Sequence, residues 1–302
     1  MELFDSALLA SVMRAVIPIL LAALGGLICE RAGVFNISLE GLMLAGAFAA
    51  VVGSFFSGNA FVGVLAAVLG GVLLSCILAY GSINRAGDPI VLGVAINLFA
   101  VGITGFMLTA LWGVRGVFQD PGIVGIDTSP VPFLGDVPWL GPALFNLSFI
   151  GYVAILLVPI TNIVLFRTAL GLRLRGVGER PLAASSLGVR SSKYQWGAVL
   201  LSGALCGLAG AQLALGNVVQ FAENMTAGRG WIAVVAVMLA RANPVGAFGA
   251  AVLFGLAEAV GFRLQGNGLP SQLTDAAPYV VTLIALVLAR RTFMRTSTSS
   301  AV

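Results

Sequence analysis

Apolar segments of near membrane-spanning length recur along most of the chain, and this feature decides its fold class. They are Ser6–Ile28, Leu39–Phe56, Ala60–Ala79, Pro89–Trp112, Leu147–Phe166, Gln195–Val218, Trp231–Ala240, Pro244–Phe262 and Ala276–Ala289. A helix needs about 17–25 apolar residues to cross the hydrocarbon layer. In lipid every backbone polar group must be satisfied internally, and long unalternating apolar runs do that only as helices. Hydrophobic residues make up 59% of the 302 positions and charged residues 9%. Soluble domains average about 45–50% and about 25%, so this chain could not cover a water-facing surface. The expected fold is all-α, a polytopic transmembrane helix bundle of about 8–10 spans. Two segments are short. At 1.5 Å per residue Ala276–Ala289 covers ~21 Å and Trp231–Ala240 only ~15 Å. The latter predicts a broken or re-entrant element near it.

Several chemistries are absent from the outset. The chain has no histidine, a single lysine (Lys193) and no GxxxxGK[ST] motif. That removes His-based catalysis, His metal sites and a phosphate-binding P-loop. The expectation is a chain that is not an enzyme, holds no cofactor or metal, and draws any nucleotide energy from another subunit. Cys29, Cys76 and Cys206 are far apart in or beside apolar runs and read as small packing residues. Glu2 and Asp5 precede the first apolar run without a basic n-region, so no cleaved signal peptide is expected.

Charge distribution sets the expected orientation. The loop from Arg167 to Lys193 carries Arg167, Arg173, Arg175, Arg180, Arg190 and Lys193 against one acid, Glu179. The tail carries Arg290, Arg291 and Arg295. Both are expected on the cytoplasmic side of the membrane, and this pattern is one of membrane orientation, not of a nucleic-acid groove. Gly113–Asn146 holds Asp120, Asp127 and Asp136 against Arg115, is rich in proline, and is expected outside. Counting back from Arg167 places the N-terminus outside. The whole chain reads as one transmembrane domain with repeat halves of about 6–166 and 195–290, joined by a cytoplasmic loop, 167–194, and with an outer loop, 113–146.

The repeat rests on two octets. Asn36-Ile-Ser-Leu-Glu-Gly-Leu-Met follows the first span, and Asn224-Met-Thr-Ala-Gly-Arg-Gly-Trp follows the sixth. Each has Asn, a hydroxyl residue, a charge, Gly and a large apolar residue, and each opens an apolar segment after a glycine-rich one. The preceding spans run in opposite senses, as inverted repeats require, and such interrupted segments mark the solute region. Asn and hydroxyl groups beside unwound backbone can replace a solute's hydration, or can simply cap helices, with Ser38 and Thr226 as candidate N-caps. Glu40 and Arg229 occupy matching places and could pair or line the path; with Glu258, and with Arg14 about two turns into the first segment, they are among the few charged groups in or beside the spans. Asn97 is the strongly polar side chain in the core of Pro89–Trp112. The candidate path residues are therefore Asn36, Ser38, Glu40, Asn97, Asn224, Thr226 and Arg229. Phe221 and Trp231 are candidates to stack on a base.

In the basic loop, Gly178-Glu-Arg-Pro-Leu-Ala-Ala-Ser-Ser-Leu-Gly-Val189 predicts a helix of about eight residues, with Pro181 in its first turn and Gly188 at its stop. A small face at Ala183 and Ala184 could enter a cleft on a partner.

At these residues the chain resembles a known family. Leu24-Gly-Gly-Leu-Ile-Cys-Glu-Arg-Ala-Gly-Val-Phe-Asn-Ile-Ser-Leu-Glu-Gly-Leu-Met43 is similar to the N-terminal signature of ribose-type ABC importer permeases, in their nucleoside and simple-sugar branch. Asn224–Ala233 and Asn243-Pro-Val-Gly-Ala247 resemble the C-terminal signature, and the likeness runs from about Ala22 to Leu288. Gly178, Glu179, Arg180, Pro181, Ala183, Ala184 and Gly188 resemble the loop that docks on the ATPase; the family usually has Asn where this chain has Arg180. The resemblance implies a nucleoside, commonly a purine nucleoside, as solute. It also implies a second homologous permease subunit, an ATP-binding subunit and an extracytoplasmic substrate-binding lipoprotein as partners, with membrane lipid around them and no nucleic acid. A simple-sugar permease is the alternative within the family. An ion-coupled carrier is the alternative outside it, and the few carboxylates within the spans argue against that.

Overall fold

The computed structural model of the chain describes residues 6–130, 146–265 and 280. The last expected segment, Ala276–Ala289, lies outside the described residues apart from residue 280. Among the described residues ten helices follow one another: α1 (Ser6–Arg31), α2 (Leu39–Ser57), α3 (Ala60–Ala79), α4 (Pro89–Trp112), α5 (Phe149–Arg167), α6 (Ala169–Glu179), α7 (Pro181–Ser186), α8 (Ser191–Ala211), α9 (Arg229–Leu239) and α10 (Pro244–Gln265). Two of them run on into π-helical turns, α3 through Tyr80–Asn84 and α8 through Gln212–Val218. Seven helices among the described residues are long and apolar enough to cross a membrane; α9, at 11 residues, is half that length.

Local chemistry sets the ends. The Asn59 side chain accepts from the Phe61 amide and starts α3, while Asp88 does the same for Ile90 and Val91, with Pro89 as the first residue of α4. Gly58 and Gly113 close α2 and α4 in the left-handed conformation. Some ends differ from the sequence reading. Leu147 belongs to a short strand, and α5 starts at Phe149 because Ser148 caps it through the Gly151 amide. Helix α8 begins at Ser191, four residues earlier than hydropathy suggests, because Lys193 and Tyr194 are polar yet helical. The outer segments also form two small antiparallel pairs, β1 (Val117–Phe118) with β4 (Phe221–Ala222) and β2 (Thr128–Pro130) with β3 (Asn146–Ser148). Strand pairing satisfies backbone groups that neither lipid nor a helix would satisfy there.

The centre of the bundle is the antiparallel pair α1 and α8. Gly25 lies against Ser202, the Cys29 thiol bonds the Ala198 carbonyl, and the Gln195 amide bonds the Ala32 carbonyl, so the register falls on one helix as it rises on the other. Helix α1 is buried along almost its whole length, whereas α3, α4 and α5 turn Leu69, Leu98 and Leu156 outward. Lipid supplies no hydrophobic force between helices, so close backbone approach must do the packing. It does so where α8 meets α3: a Cβ on Gly207 would overlap the Ala67 carbonyl, and one on Gly71 would overlap the Gly203 carbonyl. Gly207→Leu should therefore cost at least about 1–3 kcal/mol by overpacking. It should lower the melting temperature of the purified chain, and an unchanged melt would mean that the two helices do not meet this closely.

Candidate functional site

Between α1 and α2 the chain at Val34–Ile37 is neither helix nor strand, so its polar groups need other partners. Just before it, Gly33 approaches the backbone of Gly178 in the basic loop. Three residues on, the chain is deep between α1 and α8. There the Asn36 carboxamide donates to Ser202 Oγ at 3.0 Å and accepts from the Ser38 amide at 2.9 Å and the Ser38 hydroxyl at 2.6 Å. Asn97 reaches in from α4. Its Oδ1 accepts from the Gly41 amide at 2.7 Å, and its Nδ2 donates to the Ile37 carbonyl at 3.0 Å. Ser38 occupies the N-cap position of α2 but makes no side-chain capping bond, and Asn97 caps that first turn from another helix.

Glu40 joins the two interrupted segments. Its Oε1 accepts from the Gly228 amide at 2.8 Å and its Oε2 from the Gly230 amide at 2.6 Å, the first free N–H groups of α9. The carboxylate thus sits in the first turn of its own helix and caps the N-terminus of another. Each helix N-terminus carries roughly +0.5 charge, so two of them roughly balance one carboxylate. Gly230 makes the approach possible, since a Cβ there would overlap the backbone of Glu40.

Arg229 points the other way. Its Nε and Nη2 donate to Glu258 Oε1 on α10, the former at 3.0 Å, and its Nη1 donates to the Met225 and Thr226 carbonyls. Glu40 and Arg229 therefore do not pair: the carboxylate is taken by backbone amides, and the guanidinium by Glu258. Between Val218 and Arg229 the backbone is left-handed at Val219, Asn224, Ala227 and Gly228, at roughly 1–2 kcal/mol for each residue that is not glycine. Such a segment persists because it is clamped. Glu223 bonds Gly116 through both its amide and its carboxylate, Glu40 holds the lower end, and Arg229 ties it to α10. The Thr226 hydroxyl and Glu258 Oε2 are buried without a hydrogen-bond partner among the described residues.

The structure thus gathers Asn36, Ser38, Glu40 and Asn97 at one break and places Thr226 and Arg229 at the facing one, with Asn224 on the exposed side of that loop. Phe221 is not available to a base: it is fully buried, edge-on to Phe48 at 5.1 Å between ring centres. Trp231 is 42% exposed on the first turn of α9. Above the break, a cavity of about 350 Å³ is lined by Arg14, Asn217, Arg229, Glu258 and Arg263, among others. Arg14, Asn217 and Ser202 were not among the sequence candidates. Their roles come from partners about two hundred residues away, which local pattern does not reveal.

The basic loop folds as α6 followed by the six-residue α7, shorter than expected, with Pro181 at its first position and Gly188 left-handed just past its end. Ala184 is buried while Ala183 is exposed, so the two do not form the shared surface that the sequence suggests. Leu182 and Leu187 instead stand 86% and 84% exposed, beside exposed Glu179, Arg180 and Ala183. Gly178 packs on the Arg31 carbonyl and Gly33. Arg31 in turn donates to the Arg241 and Ala242 carbonyls just beyond α9, both at 2.9 Å, and lies over the Phe166 ring. The loop therefore packs on the α1–α2 corner and is linked through Arg31 to the far end of α9.

Known proteins are similar to this chain in sequence or in fold. A family model described as the permease component of the branched-chain amino acid transport system matches residues 8–288. The guanosine ABC transporter permease protein NupQ of Bacillus subtilis is 37% identical over 89% of this chain and 87% of its own length. The nucleoside ABC transporter permease protein NupC of Lactococcus lactis is 37% identical over 90% and 88%. Among solved structures, an ABC transporter of metal-chelate type in an inward-facing conformation superposes with a TM-score of 0.56 at 17% identity, over 92% of this chain and 85% of that one, and so shares the fold. The chain is a multi-pass membrane protein and belongs to the branched-chain amino acid transport system permease family of ABC transporters.

Proposed function

We propose that this chain is one permease subunit of an ABC importer and forms part of the membrane path for a nucleoside, purine nucleosides first. The observation that carries the reading of cargo is the closure of two helix N-termini by Glu40. Left open, converging N-termini would attract an anion or the carboxylate of an amino acid. Here the chain's own carboxylate fills that place, so the path selects no negative charge at this level and suits a neutral, polar solute. That disfavours amino acids within the family, and the similarity to guanosine and nucleoside permeases favours nucleosides over sugars.

The partners in this reading are a second homologous permease, an ATP-binding subunit and an extracytoplasmic binding lipoprotein. The basic loop faces the cytoplasm of a bacterial cell, as does the C-terminus. Leu182 and Leu187 enter the ATP-binding subunit. Closure of that subunit on ATP displaces α6 and α7, and the displacement passes through Gly178 to the α1–α2 corner and through Arg31 to the end of α9. Both breaks then shift together, and rigid-body rocking of the two permeases switches access.

Uptake of radiolabelled guanosine, adenosine, cytidine and ribose into cells with and without this chain tests the reading, repeated with an ATPase-dead partner. Nucleoside uptake should fall to background in both defective strains. Loss confined to ribose would replace the nucleoside with a sugar, and uptake that needs this chain but not the ATPase would contradict the importer.

A further inference from the structure

A second cavity lies away from the breaks, between α5 and α8 above α6, with a volume of about 540 Å³. Ile28, Ala198 and Leu205 form its buried floor, and Ile160, Val164 and Leu201 are walls that remain exposed. From Lys193 to Leu205 the groove follows α8 for roughly 18 Å. One end is unlike the rest. Lys193, the chain's single lysine, stands there beside Tyr194, whose hydroxyl accepts from Arg173 at 3.4 Å. This is the end nearest the basic segment 167–193. Gly197 opens the mouth, with nothing within 4 Å of where its Cβ would be.

We propose that this groove binds one anionic phospholipid. An acyl chain lies along the apolar trough, and the headgroup phosphate sits between Lys193 and Arg173 with the Tyr194 ring beside it. Length, apolar lining and cations at one end only match a lipid of the leaflet that faces the basic segment, since juxtamembrane cations attract anionic headgroups and tyrosine favours the headgroup level. A partner helix would need no such polarity at one end. The inference rests on the membrane position of α5 and α8 and is independent of the solute.

The test uses the assembled complex released from nanodiscs of equal phosphatidylglycerol and phosphatidylcholine, with retained lipid counted by native mass spectrometry. One phosphatidylglycerol per copy of this chain is expected, preferred about fivefold or more over phosphatidylcholine. Lys193→Gln with Arg173→Gln should bring that preference to about one while leaving assembly intact. Gly197→Leu should fill the groove and remove both lipids. Equal retention of the two lipids by the wild type, retention of neither, or no change in Gly197→Leu would overturn the proposal. Failure of Gly197→Leu to join the second permease, with phosphatidylglycerol preference unchanged in the lysine and arginine variant, would identify the groove as a protein contact and also overturn it.

Discussion

Glu40→Ala is expected to abolish uptake and to destabilise the assembled complex. The substitution strips the Gly228 and Gly230 amides of their acceptors inside the bundle. Each orphaned donor costs about 1–3 kcal/mol. It also leaves two helix N-termini facing each other without an intervening anion, for a further ~1 kcal/mol or more. The sum, about 3–7 kcal/mol, is a large part of the stability of an ordinary domain. Glu40→Gln keeps one good acceptor and loses the charge, so it should fall between. Thermal unfolding of the purified complex, read beside uptake per assembled complex, separates the two effects. A Glu40→Ala complex that melts like wild type would show that the carboxylate does not hold the breaks together.

The second large effect is expected at the cytoplasmic surface. Leu182→Asp with Leu187→Asp should leave folding unchanged, because both side chains are more than four-fifths exposed. If each leucine enters the ATP-binding subunit, burying it is worth about 1.5–3 kcal/mol. Losing both should weaken docking ~10²-fold or more. Uptake should collapse, and the ATP-binding subunit should no longer copurify with the permeases. Wild-type uptake in this double variant would mean that the exposed leucines dock nothing.

Much of the bundle is legible in the sequence, because lipid imposes a simple rule: an apolar run of sufficient length becomes a helix. The half-length segment near Trp231 was legible for the same reason, being too short to cross. What sequence could not show is where polar groups spend their hydrogen bonds. Glu40 and Arg229 share a place in the two octets and could pair or line the path, yet each finds its partner elsewhere. Backbone amides at a helix start carry no signature in the side-chain sequence, and Glu258 sits on a helix that the octets do not include. Asn36, Ser38 and Asn97 read as solute ligands from their polarity, but their described bonds go to the break itself. Phe221 and Ala184 failed as surface groups for one reason: burial depends on which neighbour covers a residue, and neighbours distant in sequence decide it. In and just after α7, Leu182 and Leu187 are exposed, and nothing in the local sequence marks an apolar residue of so short a helix as uncovered.

The central claim is an ATP-driven path for a neutral nucleoside. Its most direct measurement is uptake into proteoliposomes holding the purified complex with its binding protein. Guanosine, guanosine 5′-phosphate, leucine and ribose are offered in turn, with and without ATP. The account predicts accumulation of guanosine that requires ATP, and none of the phosphate ester, leucine or ribose. Accumulation of leucine, or guanosine entry that is equal without ATP, would contradict it.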